Sequence, residues 1–295
     1  MITTKQLTGI GLAALLTCAM ASAAVLNDTF TDGGRSNGAD AEDGAWWSTG
    51  DSALFTVAND AGSITGNSLR AAGVGSTRSL MCFFPSAVTL ANVGDRLTFT
   101  ADVRLSSTPV GNYRELNFVL GNSAGTRQAA DNFGTTTRAD DTYYESLLQV
   151  TGGTGLQGPG SLYLYRATMP SGSEDFTEGG EVTVGGASPT RGTVNSTLLY
   201  SGSPVFSIGM TAERVATGIQ LQSTVNGNST ALVIDTTSYV STFDMFMFQD
   251  RAGAASTYYL DNVLVTMSVV PEPSTLALAA LGAVSGAIML RRRKA

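Results

Sequence analysis

From Arg96 to Leu105 the chain alternates at every step, with Leu97, Phe99, Ala101, Val103 and Leu105 on one side and Arg96, Thr98, Thr100, Asp102 and Arg104 on the other. A period of two predicts a half-buried β-strand. Leu116, Phe118 and Leu120 repeat the pattern, as do Ile219, Leu221, Ser223 and Val225. The latter run meets Asn226-Gly227, a dipeptide suited to a tight hairpin turn, and predicts a return strand over 231–234. Further strands are predicted over 54–57, 78–84, 143–150, 162–166, 205–211, 243–248 and 258–267. Between them lie clusters of Gly, Asn, Ser, Thr and Asp, and no amphipathic helix of useful length occurs. Many short strands without crossover helices predict an all-β fold, a two-sheet antiparallel β-sandwich of jelly-roll type. Residues 152–193, rich in Gly, Ser and Thr with Glu174, Asp175, Glu178 and Glu181, read as long acidic loops around one or two weak strands.

The two ends break this pattern. Residues 1–23 hold Lys5, an apolar run and then Ala21-Ser22-Ala23. That is the layout of a secretory signal peptide helix with its cleavage site at Ala21 and Ala23, and it implies the Sec export machinery as a partner. Thr17-Cys18 fits lipoprotein processing only loosely, so ordinary cleavage is favoured. At the other end stand Pro271, Glu272, Pro273 and Ser274, an apolar run over 275–290, and Arg291, Arg292, Arg293 and Lys294. The prolines keep the entry extended and Ser274 can cap the helix that follows. A helix over 275–290 is about 24 Å long against about 30 Å of bilayer hydrocarbon, short for a permanent membrane span and sufficient for a transient one. The basic cluster acts as the stop signal and keeps the C-terminus cytoplasmic. The expected domains are a signal peptide at 1–23, an exported β-sandwich at 24–268 and a sorting segment at 269–295.

Pro271-Glu272-Pro273-Ser274, the apolar helix and the terminal arginine cluster together resemble the PEP-CTERM sorting signal, a segment also called the ice-binding-protein C-terminal domain. The resemblance implies recognition by an exosortase-type membrane protease. It further implies delivery to the cell surface or extracellular matrix in an organism that makes exopolysaccharide. Within the exported region, 243–248 and 258–265 resemble the closing strands of concanavalin-like or carbohydrate-binding-module jelly rolls. Residues 27–35 with Trp46-Trp47 resemble their opening.

Charge narrows the function. The chain has a formal net charge of −7 and no histidine. Five of its 17 basic residues (Lys5, Arg291, Arg292, Arg293 and Lys294) and one of its 24 acids (Glu272) lie in the terminal segments. The exported part therefore has 12 arginines and no lysine against 23 acids, a net charge of −11. A nucleic-acid partner is excluded by that surface. Without histidine there is no Ser-His-Asp or Cys-His catalysis and no histidine-ligated metal. Cys82, the one cysteine after signal removal, lies in an apolar stretch and is expected to be an inert core thiol.

What remains is oxygen and aromatic chemistry. Calcium takes oxygen ligands, and Asp28, Asp32, Asp40, Glu42 and Asp43 cluster near the N-terminus. If first and last strands are neighbours, Asp261 comes close to Asp28. Asp28, Asp32 and Asp261 are thus the candidate structural calcium ligands, with turn and edge roles as the competing expectation; no cofactor is required. Trp46, Trp47, Tyr163 and Tyr165 are candidates for stacking on sugar rings, with core packing as the alternative. Tyr163 and Tyr165 share one face, opposite Leu162 and Leu164. Glu115, Glu145 and Asp102 are the strand carboxylates a glycosidase would need in pairs, and solvated outer-face roles are expected for them. The leading expectation is a non-enzymatic surface or matrix protein. The alternatives are a carbohydrate-binding module for exopolysaccharide or environmental glycan, and a carboxylate-dependent glycan hydrolase or lyase.

Overall fold

The computed structural model describes residues 21–35, 43–49, 52–74, 78–105, 114–131, 140–151, 161–168, 182–183, 192–193, 204–237, 239–252 and 256–270. These fall almost wholly in one compact unit, Ser22–Val269. Residues 1–20 of the predicted signal segment, the sorting segment beyond Val270 and most of 152–203 lie outside the described residues, while Ala21 and Ala23 of the predicted cleavage site begin the first strand. Among the described residues no helix is long and apolar enough to cross a membrane.

Two sheets make up the unit. The first contains β1 (Ala21–Asp28), β3 (Phe55–Ala58), β4 (Ser68–Val74), β6 (Arg96–Leu105), β12 (Val205–Val215), β13 (Gly218–Val225), β14 (Asn228–Ser229), β15 (Val233–Asp235) and β17 (Ser256–Val269). Its order is β14-β13-β12-β6-β17-β4-β3, with β1 also on β17 and β15 also on β13. The second contains β2 (Trp46–Ser48), β5 (Arg78–Thr89), β7 (Arg114–Asn122), β8 (Thr142–Thr151), β9 (Ser161–Thr168), β10 (Val182–Thr183), β11 (Gly192–Thr193) and β16 (Thr242–Ala252). Its order is β10-β9-β8-β7-β16-β5-β2, with β11 also on β9. The expected all-β antiparallel sandwich is found, with first and last strands paired.

Strand β6 occupies the predicted span, and its odd-numbered positions from Leu97 to Leu105 are buried. They meet the inner face of the second sheet in one core. Phe99 stacks on Phe246 at a centroid distance of 4.2 Å, and Phe248 lies 5.0 Å from Tyr258. The Asn226-Gly227 turn has φ of 47° and 74°, the left-handed pair that a type I′ hairpin requires. Its return path is split into β14 and β15, where Asp235 faces Ile219.

The second sheet differs from the expectation of one wet face. Leu80, Cys82, Phe84, Phe118, Tyr144, Phe246 and Phe248 belong to the main core. Met81, Phe83, Val119, Tyr143, Met245 and Met247 form a second buried cluster, with Trp47 against it. Both faces are buried over 79–84 of β5, 143–150 of β8 and 243–250 of β16. That is why 80–84 and 245–248 are continuous apolar runs and not alternating ones. Cys82 is fully buried, and burial pushes its thiol pKa well above the ordinary value.

One edge of the sandwich is closed by a lock between the sheets. Asp235 on β15 accepts two hydrogen bonds from the Arg166 Nη1 of β9, at 2.9 and 2.8 Å. It also accepts one from the Tyr144 hydroxyl at 3.1 Å. Val240 N donates to that hydroxyl in turn, at 3.0 Å. Burial first, and then the Asp235 carboxylate, raise the Tyr144 pKa.

Candidate functional site

The three calcium candidates are held apart by their own hydrogen bonds. Asp28, at the end of β1, accepts from Phe30 N at 2.9 Å and from Trp46 Nε1 at 2.6 Å. Asp32 is exposed and accepts from Gly34 N in a local turn. Asp261 is fully buried in β17. Its Oδ2 accepts from Thr65 N, Thr65 Oγ1 and Ser68 Oγ at 3.1, 2.6 and 3.2 Å, and its Oδ1 from Asn262 N at 2.8 Å. Asp261 thereby ties the β3–β4 connection to the central strand, at a bulge where Asn262 adopts φ 49°. Among the described residues no group of three or more acidic, histidine or cysteine side chains stands ready for a metal. Burial raises the Asp28 pKa from 3.8 to about 6, against the lowering effect of its two hydrogen bonds.

The four aromatic candidates separate in the same way. Trp46 is 1% exposed. It packs between Phe30 and Phe246 at 5.7 and 5.8 Å, with its indole N–H spent on Asp28, so it is a core residue with no free face. Tyr163 and Tyr165 do share one face of β9, opposite Leu162 and Leu164. They stack on each other at 6.1 Å and are packed with Leu147, buried rather than presented to solvent. Trp47 alone keeps part of its ring exposed.

The carboxylate candidates do not pair either. Glu115 and Glu145 are fully buried on the outer face of the second sheet, which corrects the expectation that they are solvated. Glu115 faces Gln149 across β7 and β8, whereas Glu145 faces Val119. Four residues of strand separate them, which puts their backbones about 14 Å apart, so the two are not cross-strand neighbours. Asp102 lies on the other sheet and accepts from Asn262 Nδ2 at 2.9 Å.

Two features escaped the sequence reading. The first is a polar row on the outer face of the second sheet. Ser79, Gln249 and Asn117 are direct cross-strand neighbours on β5, β16 and β7, and Gln149 sits one row away on β8. Asn117 Nδ2 donates to Gln249 Oε1 at 3.2 Å. Among the described residues, Ser79 Oγ, Asn117 Oδ1, Gln249 Nε2 and both amide atoms of Gln149 are buried without a hydrogen-bond partner. Such groups are costly unless water or a ligand answers them. The second is a pocket of about 430 Å³ beside Trp47, lined also by Asp43, Phe83, Pro85, Arg127 and Gln128. Its only sequence signal was Trp47, because Arg127 and Gln128 come from the loop after β7.

Residues 269–294 match the PEP-CTERM protein-sorting motif, which implies an exported, membrane-associated protein processed by an exosortase. No curated protein matches the chain. Among solved structures, the metal-free carbohydrate recognition domain of Emp46p is 10% identical, with 75% of this chain and 87% of that one covered at a TM-score of 0.47. A Bacillus subtilis protein of unknown function with a galectin-like fold is 10% identical, with 86% and 99% covered at 0.45. A carbohydrate esterase of the Shiga toxin-encoding bacteriophage phi24B is 11% identical, with 84% and 100% covered at 0.47.

Proposed function

We propose that this chain is a non-enzymatic protein of the cell surface or extracellular matrix. In this reading it leaves the cytoplasm through the Sec machinery, is held at the membrane by its C-terminal helix, and is handed to an exosortase-type protease. The carrying observation is the sorting motif at 269–294. It follows the last strand of the sandwich, β17, with no intervening domain. The test is fractionation of cells making the tagged chain or a version ending at Val270. The full chain is expected at the surface or in the matrix, and the shortened one in the periplasm or medium. Equal surface amounts of both contradict the proposal.

A second reading is favoured by the pocket beside Trp47: the sandwich binds a glycan, either the exopolysaccharide of the same cell or one from its surroundings. Retention on immobilised polysaccharide, lost on competition with the soluble polymer, is the expected result; passage of the protein unretarded counts against it.

A further inference from the structure

The loop from Ser123 to Asp131 is pinned at both ends. At its start, Ser123 N and Ser123 Oγ donate to Asp244 on β16 at 2.8 and 2.6 Å. A tight turn follows, with Thr126 N donating to Ser123 O at 2.8 Å. At its end, the Asp131 carboxylate takes a two-pronged bond from Arg35, at 3.1 and 2.7 Å. The same carboxylate accepts from Ser48 N at 2.8 Å and Ser48 Oγ at 3.0 Å. Burial pushes the Asp131 pKa up, but the Arg35 and Ser48 bonds outweigh it and hold the carboxyl below the usual range. The loop is therefore fastened to two strands of the second sheet, β16 and β2, and what it carries between the pins is held in place.

It carries Arg127 and Gln128 to the pocket beside Trp47. The Arg127 guanidinium lies over the Phe83 ring at 5.6 Å, with Nε 3.6 Å from Asp244 Oδ2. Its side chain is 39% exposed and lines the pocket. Opposite chemistry stands nearby, because Asp43 lines the same space. A pocket of about 430 Å³ with an aromatic wall, a guanidinium and a carboxylate is of ligand-binding size.

We propose that this pocket binds one neutral pyranose ring, with the apolar sugar face on Trp47 and the hydroxyls shared among Arg127, Gln128 and Asp43. The proposal rests on the glycan reading above and adds the site and the ligand charge to it. A sugar hydroxyl is donor and acceptor at once, which suits a lining that offers both. A charged ligand of either sign meets a like charge on one wall, Arg127 or Asp43. An anion also meets the acidic surface of the exported part.

The chain has two tryptophans, and Trp46 is sealed in the core, so Trp47 is the reporter. The full-length protein in detergent is titrated with methyl β-glucopyranoside, methyl β-galactopyranoside and N-acetylglucosamine, with glucuronate as the charged comparison. Emission and saturation-transfer NMR are both read. At least one neutral sugar should shift the emission, and Trp47→Ala and Arg127→Gln should each weaken its binding roughly tenfold or more. Tyr163→Phe should leave binding unchanged. Arg127 is exposed enough for its replacement to keep the fold, so the test does not hang on the Trp47 variant alone. Neutral sugars that bind equally well to both variants overturn this site and leave the glycan reading standing. Tighter binding of glucuronate than of any neutral sugar overturns the ligand class. No transfer from any sugar, together with no retention on polysaccharide, overturns both.

Discussion

Asp28→Asn is the perturbation whose magnitude the structure states most openly. Asp28 is 4% exposed and links two sheets, since it belongs to β1 and accepts from Trp46 of β2. Burial raises its pKa from 3.8 to about 6; its hydrogen bonds from Trp46 and Phe30 pull the other way, and Asp43 and Asp32 add a smaller upward push. A folded-state pKa above the unfolded one means that the folded protein holds the proton more tightly. The contribution of Asp28 to stability is therefore fully present below about pH 4 and is lost as the pH rises through about 6. The shift corresponds to about 3 kcal/mol. Asparagine does not titrate, so other acids cancel when variant and parent are compared at each pH. Urea unfolding of both proteins across this window is expected to show the variant gaining about 3 kcal/mol on the parent between pH 4 and pH 7. A stability gap that stays constant over that range refutes the reasoning, and places the proton on Asp28 no differently in folded and unfolded chains.

Other perturbations follow from the same contacts. Asp235→Ala leaves Arg166 half-buried without its carboxylate and the Tyr144 hydroxyl without its acceptor; a loss of about 3–5 kcal/mol in urea unfolding is expected, and a loss below about 1 kcal/mol contradicts the lock. A Cβ at Gly218 falls 1.8 Å from the Asp235 carbonyl oxygen, so Gly218→Ala should cost about 1–3 kcal/mol as the β13–β15 ladder shifts; an unchanged unfolding midpoint speaks against that packing. Asp131→Ala frees the far end of the 123–131 loop, and hydrogen exchange of 126–130 should accelerate while β6 and β12 keep their protection. Replacing Arg291, Arg292, Arg293 and Lys294 by Ser or Gln should let a C-terminal tag become accessible to external protease, because the short helix alone retains it weakly; a tag that stays protected counts against that topology.

Alternation was legible where one face of a strand is wet. Strand β6 and the β13 turn are found where period two and Asn226-Gly227 place them. A strand was missed where pairing depends on distant partners: β4 (Ser68–Val74), over which no strand was predicted, has Ser and Gly where a pattern needs apolar positions, and its place is set by β17 and β3. The second sheet was legible as strands but not as doubly buried, since a short apolar run such as 245–248 reads alike in either setting. The candidate site was the least legible part. Asp28, Asp32 and Asp261 look like a ligand set in composition, yet each has donors chosen by tertiary contact, Asp261 from residues almost two hundred positions away. Trp46 and Trp47 are adjacent and chemically identical, and only the side of β2 on which each falls separates a core indole from a pocket wall. Arg127 became visible only once the loop carrying it was seen pinned by Asp244 and Asp131.

The central claim is that the tail is read as a sorting signal and does more than hold the chain in a membrane. The most direct measurement is the mass and location of the protein after Pro271, Glu272 and Pro273 are all changed to alanine, in cells that contain the exosortase. The apolar run and the basic cluster are untouched by that change, so insertion should survive. The variant should accumulate at full length in the inner membrane, while the parent is shortened and reaches the surface or matrix. A variant that arrives there in normal amount and at the mass of the processed parent contradicts the account.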